Sequence, residues 1–373
     1  MDFSYSDEQR MLADILERLI ADQEGLPRVD QHARNAASSA PSPLWRTFAE
    51  LGLLQLPFQE AVGGLGGGGI DAMIVMQSLG KGLISEPYLD ALLLPGTLLA
   101  SLANDEQRTR WLTPLLSGEC RLALAWQETE ARYDAHDIAT RAERRAEGWV
   151  LEGTKQVVLA AASAEALLIT ARLATGRLGI FLVPVDSDAL TRRDYQTLDG
   201  RAACDIEFSG IMLPLDACLS EDAGEALDAA LALGRSALCA EAVGSMQIAC
   251  EQTLAFLKER RQFGQPLASF QVLQHRMVDM HLNLEQARSM AILAATSLER
   301  PAGERDYRIA AAKAYCGEAA RFIAEQAIQL HGAMGMTDEC SISHYAKRLM
   351  MFDHYLGDVD HHLEFVSERL TAA

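Results

Sequence analysis

The chain has no long apolar run. Its greasiest stretch, Ala91 to Ala100, is broken by Pro95 and Gly96. No segment reaches the ~20 uninterrupted apolar residues of a membrane span. It has no surplus of basic residues either: 33 Lys and Arg stand against 52 Asp and Glu, a net charge of -19. Such a chain suits neither nucleic acid, whose phosphates demand a basic face, nor an anionic membrane surface. It has no CxxC pair. Its seven cysteines, an odd number, are scattered as reduced thiols in a reducing compartment would be. The start, Met1-Asp-Phe-Ser-Tyr-Ser-Asp, lacks the basic opening and apolar core of a secretory signal. The cytoplasm is the expected location.

What is present is the composition of a globular protein, 49% hydrophobic and 23% charged. A length of 373 residues allows two or three domains and a sizeable core. Three textures follow one another. Residues 1–119 are helical in pattern. Ser6-Asp-Glu-Gln offers an N-terminal cap with acids in the first turn, and Met11, Leu12, Ile15, Leu16, Leu19 and Ile20 follow at helical spacing. Trp45 to Leu54 repeats the theme. The glycine run from Gly63 to Gly69 has no Gly-Lys-Ser/Thr ending and follows no strand, so a flexible turn between helices is expected there.

Residues 120–225 read as a β domain. Leu122, Leu124 and Trp126 alternate with small residues. Trp149–Gly153, Ala166–Arg172, Gly179–Pro184 and Ile206–Pro214 are short, apolar and set off by turn residues. Strands without intervening helices predict an antiparallel barrel or sandwich. Residues 226–373 return to long helices. Leu273, Met277, Met280, Leu284, Ala287, Ala291, Ala294 and Leu298 step by four and three, as a helix-bundle seam does. Cys239, Val243, Met246, Cys250 and Leu257 form a second stripe. Pro301-Ala-Gly303 precedes a third, through Ile309, Cys316, Ile323, Ala327 and Leu330. The Met and Cys residues here read as core packing.

Four local motifs carry a resemblance. Arg260-Arg-Gln-Phe-Gly-Gln-Pro-Leu-Ala-Ser-Phe-Gln271 resembles the "ERxxFGxxLxxFQ" stretch of the acyl-CoA dehydrogenases, and Gln329-Leu-His-Gly-Ala-Met-Gly335 resembles their "QxxGGxG". Asp205 to Pro214 resembles the strand that leaves their β domain, and Pro57 to Gly66 their "PxxxGGxG". The match runs through the whole chain in order. It implies a mainly α fold: an N-terminal helical domain, a small antiparallel β barrel and a C-terminal four-helix bundle. It also implies FAD as cofactor, an acyl-CoA substrate, and an electron-transfer flavoprotein as electron acceptor. By this resemblance Arg260, Gln262 and Phe263 touch the adenosine and pyrophosphate end of FAD, and Gln329, Gly332 and Ala333 border the same end, both reaching a neighbouring subunit's flavin. The residue types suit the task. A guanidinium pairs with a pyrophosphate, and a glycine-rich turn lets backbone N–H groups reach phosphate oxygens. An isolated arginine at 260 would instead be read as a partner of Glu259 or Glu251.

Other positions depart from the pattern. Where the family has a Thr-Glu-Pro turn the chain reads Gln127-Glu-Thr129. In the "GxKxWITN" stretch Val157 stands for the Trp and Leu159 for the Thr, so a stacking surface and a hydroxyl are gone. The reaction removes a proton alpha to a thioester while a beta hydride goes to the flavin, and a carboxylate must reach that proton. The family places its glutamate 21 residues after the last glycine of the strip, which here is Leu356, in Tyr-Leu-Gly-Asp358. A few members place it ahead of an arginine on an earlier helix, which here is Gly234, before Arg235. Neither accepts a proton, and loss of a general base costs ~10²–10⁴ in rate.

Asp358 replaces a threonine of the family and is a candidate displaced base, with a solvated or interface acid the favoured reading. Glu241, two helical turns after Gly234, is expected to lie too far. Asp358-Val-Asp-His-His362 invites a metal reading, but no second Glu-x-x-His helix accompanies it, and a capped helix is expected. Elements that serve a neighbour's flavin are kept and those for the chain's own chemistry are altered. That pattern resembles the small subunit of heteromeric dehydrogenases of the pimeloyl-CoA or steroid side-chain type. The expected assembly is a hetero-oligomer with a second subunit of the same family. A self-sufficient homotetramer using Asp358, and a flavin-free structural subunit, are the alternatives.

Overall fold

The computed structural model describes residues 5–21, 41–187 and 189–372. The helices are α1 (Asp7–Ala21), α2 (Pro43–Glu50), α3 (Gly69–Lys81), α4 (Leu94–Leu102), α5 (Gly224–Glu259), α6 (Gln271–Ser297), α7 (Ala302–His331), α8 (Ser341–His354) and α9 (Val359–Ala372). Short helical turns, two of them π-type, lie around α4 at Tyr88–Leu93 and from Asp105 to Leu116. Eight strands lie between the helical stretches: β1 (Leu122–Ala125), β2 (Arg141–Arg145), β3 (Gly148–Leu159), β4 (Ala166–Leu173), β5 (Leu178–Pro184), β6 (Leu190–Gln196), β7 (Ala202–Leu213) and β8 (Cys218–Ser220). The chain separates into two compact units, Met1–Pro27 with Gly69–Ile84 and Arg235–Ala373, and Arg28–Gly68 with Ser85–Gly234.

The first unit is a helical bundle centred on α7, which packs on α6, α8 and α9. Its seams are those of the sequence pattern. Met280, Leu284, Ala287, Ala291 and Ala294 of α6 are buried, as are Ile309, Cys316, Ile323, Ala327 and Leu330 of α7. Small residues set the spacing. A Cβ on Gly80 of α3 would lie 2.0 Å from Glu241 O, and one on Gly244 of α5 would lie 2.0 Å from Gln77 O. The two backbones therefore touch, and Ser245 Oγ donates to Gly80 O at 3.0 Å across the contact. At the N-terminus Ser6 and Gln9 exchange bonds in a capping box: Gln9 N donates to Ser6 Oγ and Ser6 N to Gln9 Oε1.

The second unit holds one sheet, ordered β6-β7-β3-β2-β4-β5-β8, with β1 added beside β4. Pairing is largely antiparallel. Two parallel pairings were not expected: β1 and β2 share one edge of β4, at Leu122↔Ala166 and Arg141↔Arg172. β2 and β6 also escaped the sequence pattern, because most of their residues are charged and exposed. The glycine run is a turn as expected, but not a loose one. It folds back on residues 55–58 through Gly66 N to Phe58 O at 2.7 Å and Gly67 N to Leu56 O at 2.8 Å. A Cβ on Gly64 would meet Phe58 O at 1.9 Å, so close backbone approach fixes the residue type.

Candidate functional site

The two strips expected to meet a cofactor come together at one end of the bundle. α5 ends at Glu259, and the chain then turns through a two-residue hairpin, Arg261–Gln262 against Gln265–Pro266. Phe263 and Gly264 form its tip with φ of +54° and +80°. α7 ends at His331, and Gly332 leaves it with φ +67°. The rings of Phe256 and His331 stack at 4.4 Å between centroids, so the ends of the two helices lie side by side. Arg276 Nη1 to Gln326 Oε1 at 2.9 Å ties α6 to α7 one turn away.

Arg260, Gln262, Phe263, Gln329, Gly332 and Ala333 are all exposed, Phe263 to 88%. Among the described residues no ion pair joins Arg260 to Glu259 or Glu251, and Glu251 Oε1 accepts from Gln247 Nε2 at 2.9 Å. The space beside Gly332 is open: a Cβ there would meet nothing within 4 Å. A guanidinium, two amides, an aromatic ring and uncrowded backbone form a donor set that fits the pyrophosphate and adenosine of a dinucleotide. Gln329 also borders a cavity of about 420 Å³ between α7 and α8, floored by Ile328, Leu349 and Met350 and edged by Arg321 and Asp353.

The position expected for the base is different in kind. Leu356 is 1% exposed, and its backbone is left-handed, φ +58°. Its carbonyl accepts from Arg235 Nε and His362 Nε2, each at 3.1 Å. Burial, with the charges of Arg235 and Lys313, drives the His362 pKa down to about 2, so the imidazole is neutral and donates through Nε2–H. Asp358 caps α9: its Oδ1 accepts from His361 N at 2.8 Å. Glu241 is buried in an ion pair with Arg348. Gly234 is buried within α5.

In the β domain, Glu128 accepts from Lys155 Nζ at 2.6 Å, Ala139 N at 2.7 Å and Thr140 N at 3.2 Å. Burial alone would raise this carboxyl; the Lys155 charge and the donors outweigh it and hold it below its ordinary value. Burial pushes Lys155 down to about 8 against the pull of Glu128. Gln156 N donates to Gln127 O at 2.9 Å, which joins the turn after β1 to β3. Between Lys155↔Ile206 and Val158↔Cys204, β3 carries one extra residue, a bulge. Val157 sits in it with φ +51°, rare for a β-branched side chain. Asp205 Oδ1 takes the freed Val157 N–H at 3.2 Å, and the same carboxylate binds Tyr195 and Arg193.

Lys313 was not singled out in the sequence, and Asp205 and His362 entered only as the start of a strand motif and the end of a metal-like cluster, not in the roles they have here. Lys313 had a signal: it occupies the seam step between Ile309 and Cys316, where every neighbour is small or apolar.

Domain models described as acyl-CoA dehydrogenase N-terminal, middle and C-terminal domains match residues 6–119, 123–211 and 224–371. The chain is 30% identical to probable acyl-CoA dehydrogenase YngJ of Bacillus subtilis over 92% of each protein. It is similar to the solved Tcur3481-Tcur3483 steroid ACAD variant, at TM-score 0.86, 26% identity and 98% of each chain. It shares the fold of the glutaryl-CoA dehydrogenase of Mycobacterium smegmatis solved with FADH2, at TM-score 0.89 and 23% identity over 99% of this chain and 96% of that one. The chain belongs to the acyl-CoA dehydrogenase family. It is an oxidoreductase of CH–CH donors with FAD as cofactor. Among the described residues no helix is long and apolar enough to cross a membrane.

Proposed function

We propose that this chain is one subunit of a heteromeric acyl-CoA dehydrogenase, and that it lends Arg260, Gln262, Phe263, Gln329, Gly332 and Ala333 to a flavin held by a catalytic partner. One observation carries this reading. The six residues are exposed together at one end of the bundle, while Leu356, where the resemblance would put the base, is buried. FAD supplies the hydride acceptor. Arg260 and the amides of Gln262 and Gln329 would hold its pyrophosphate end, and Phe263 would cover an exposed ring. The alpha proton of the thioester would go to a carboxylate of the partner. The two-component name of the steroid ACAD structure supports a heteromer by analogy. Electrons would leave to an electron-transfer flavoprotein, and the seven free cysteines suit the cytoplasm.

The homotetramer reading needs Asp358 as a base, and its carboxylate is engaged as a helix cap. The test is the visible spectrum and turnover of the purified chain. Alone it should carry substoichiometric flavin and no activity, and both should appear on co-expression with its partner. A full flavin complement with turnover as a homomer would overturn the proposal. Unchanged flavin in a co-expressed Arg260→Ala complex would favour the flavin-free scaffold.

A further inference from the structure

α7 packs on α6, α8 and α9, and one side of it stays open. Arg321, Glu325 and Gln329, four residues apart, lie exposed on that side. Beside them runs the cavity of about 420 Å³ against α8. At one end Arg321 Nη2 donates to Asp353 Oδ2 at 2.6 Å, and at the other Gln329 and Ala346 border the same space. The two helices are therefore antiparallel, and the cavity is a trough between them. Eight residues of α7 make it about 12 Å long.

The trough is apolar inside. Ala324 and Ala346 are small and buried, which gives it depth, and Leu349 is buried below. Ile328 and Met350 line it, and Met350 is 51% exposed. Met334 and Met336, in the turn that joins the helices at the Gln329 end, are 52% and 76% exposed. A contiguous apolar surface in water marks a place where something docks. Methionine, unbranched and polarizable, adapts its shape to what covers it.

The walls select the class of occupant. Their backbone N–H and C=O groups are bonded within α7 and α8, so an extended strand laid here would bury its own backbone groups unpaired. A helix satisfies its backbone internally and offers side chains three and four residues apart to a groove. Charge selects further. Arg321 is already held by Asp353. Among the described residues no ion pair holds Glu325, midway along the rim. Gln329 selects the source, because it borders the trough and is also one of the six residues that the proposed heteromer turns toward the flavin-bearing partner.

We propose that the trough between α7 and α8 seats a helix of the partner subunit that carries two aliphatic side chains one turn apart and a lysine or arginine beside them. The aliphatic pair enters over Ala324 and Ala346, against Ile328, Leu349 and Met350, and the basic side chain meets Glu325. The inference rests on the heteromer reading and adds to it a contact that holds the partner independently of the flavin.

The experiment uses the purified heteromer. With Met350 replaced by photoreactive p-benzoylphenylalanine, irradiation should link this chain to the partner. Mass mapping should place the attached residues three or four apart on one partner helix, with a lysine or arginine next to them. A link to a second copy of this chain or to an extended segment would overturn the proposal, as would an intact heteromer that gives no link. Met350→Arg should weaken the heteromer at least about 10-fold, because it buries a charge that faces the partner's basic side chain. Glu325→Gln should weaken it about 3-fold and flatten the salt dependence of association. Both side chains are exposed, so the urea midpoint of the chain alone should not move. A flavin-free chain that needs its partner for turnover, yet binds that partner with unchanged affinity in both variants, would overturn the trough and leave the heteromer reading standing. A chain that is fully flavinylated and active as a homomer would overturn both.

Discussion

Phe256 and His331 stack with their planes 23° apart, and this contact aligns the two strips that the sequence singles out for a dinucleotide. His331 Nδ1 donates to Ala327 O at 2.8 Å, and burial lowers its pKa, so the ring is neutral and lies flat against Phe256. Phe256→Ala should cost about 1–3 kcal/mol, from lost ring contact and partial burial. It should also lower the flavin content of the co-expressed complex, because the Arg260 hairpin loses its support. The ratio of flavin to protein absorbance, read beside a urea melt, checks both.

Arg260→Ala separates binding from folding. The side chain is exposed, so the chain's own stability should move by no more than about 0.5 kcal/mol. A guanidinium lost from a phosphate removes a charge-assisted bond of about 1.5–3 kcal/mol, or roughly 10–100-fold in flavin affinity. Arg260→Lys should recover only part, since an ammonium cannot bind in two parallel bonds. Flavin titration of the complexes at fixed ionic strength gives the comparison.

The bundle was legible because its seams repeat. Met280 to Ala294 and Ile309 to Leu330 are buried at the steps that the pattern predicts. The two strips at the helix ends stood out as motifs because glycine and arginine at fixed spacing are visible in sequence, and the structure brings them side by side. What escaped depends on residues distant in the chain. Nothing near Val157 announces a left-handed valine, because the carboxylate that accepts its N–H is Asp205, 48 residues on. Lys313 makes its bonds 39 and 44 residues away. Charged β2 and β6 hide their strand character because pairing and not burial defines them.

Lys313 should leave a signature in the pH dependence of stability. Burial pushes its pKa down to about 8, from 10.5. Below pH 8 the amine is protonated in both states and the burial penalty is constant. Between 8 and the ordinary value the unfolded chain still holds a proton that the folded chain has lost, so stability rises with pH. The slope approaches about 1.4 kcal/mol per pH unit. Lys155 shifts the same way and cancels in a difference. Urea midpoints at pH 7.5 and 10 should therefore show wild type gaining about 1–3 kcal/mol over Lys313→Met. A flat difference would mean the amine is not buried as a cation.

Asp358 offers a clean separation of capping from catalysis. Its Oδ1 caps α9 through His361 N, so Asp358→Ala should cost about 1 kcal/mol and Asp358→Asn only a few tenths. Asn keeps the cap and cannot take a proton. Turnover of the Asp358→Asn complex should match wild type within about 2-fold, against the ~10²–10⁴ loss expected of a removed base.

The β3 bulge and its carboxylate should behave as a coupled pair. Asp205 holds the Val157 N–H in a backbone state that a β-branched residue avoids, and its release would leave a partly buried N–H without its acceptor. Asp205→Ala should cost about 2–3 kcal/mol, because the bonds from Tyr195 and Arg193 go with it. Val157→Gly removes the left-handed strain, worth about 1–2 kcal/mol, and gives up a comparable amount of half-buried apolar surface, so alone it should be near neutral. In the double variant glycine can keep the bulge without the carboxylate. The combined loss should fall short of the sum by about 1 kcal/mol. Additive losses would show that Asp205 serves only β6 and that the valine bulge stands without it.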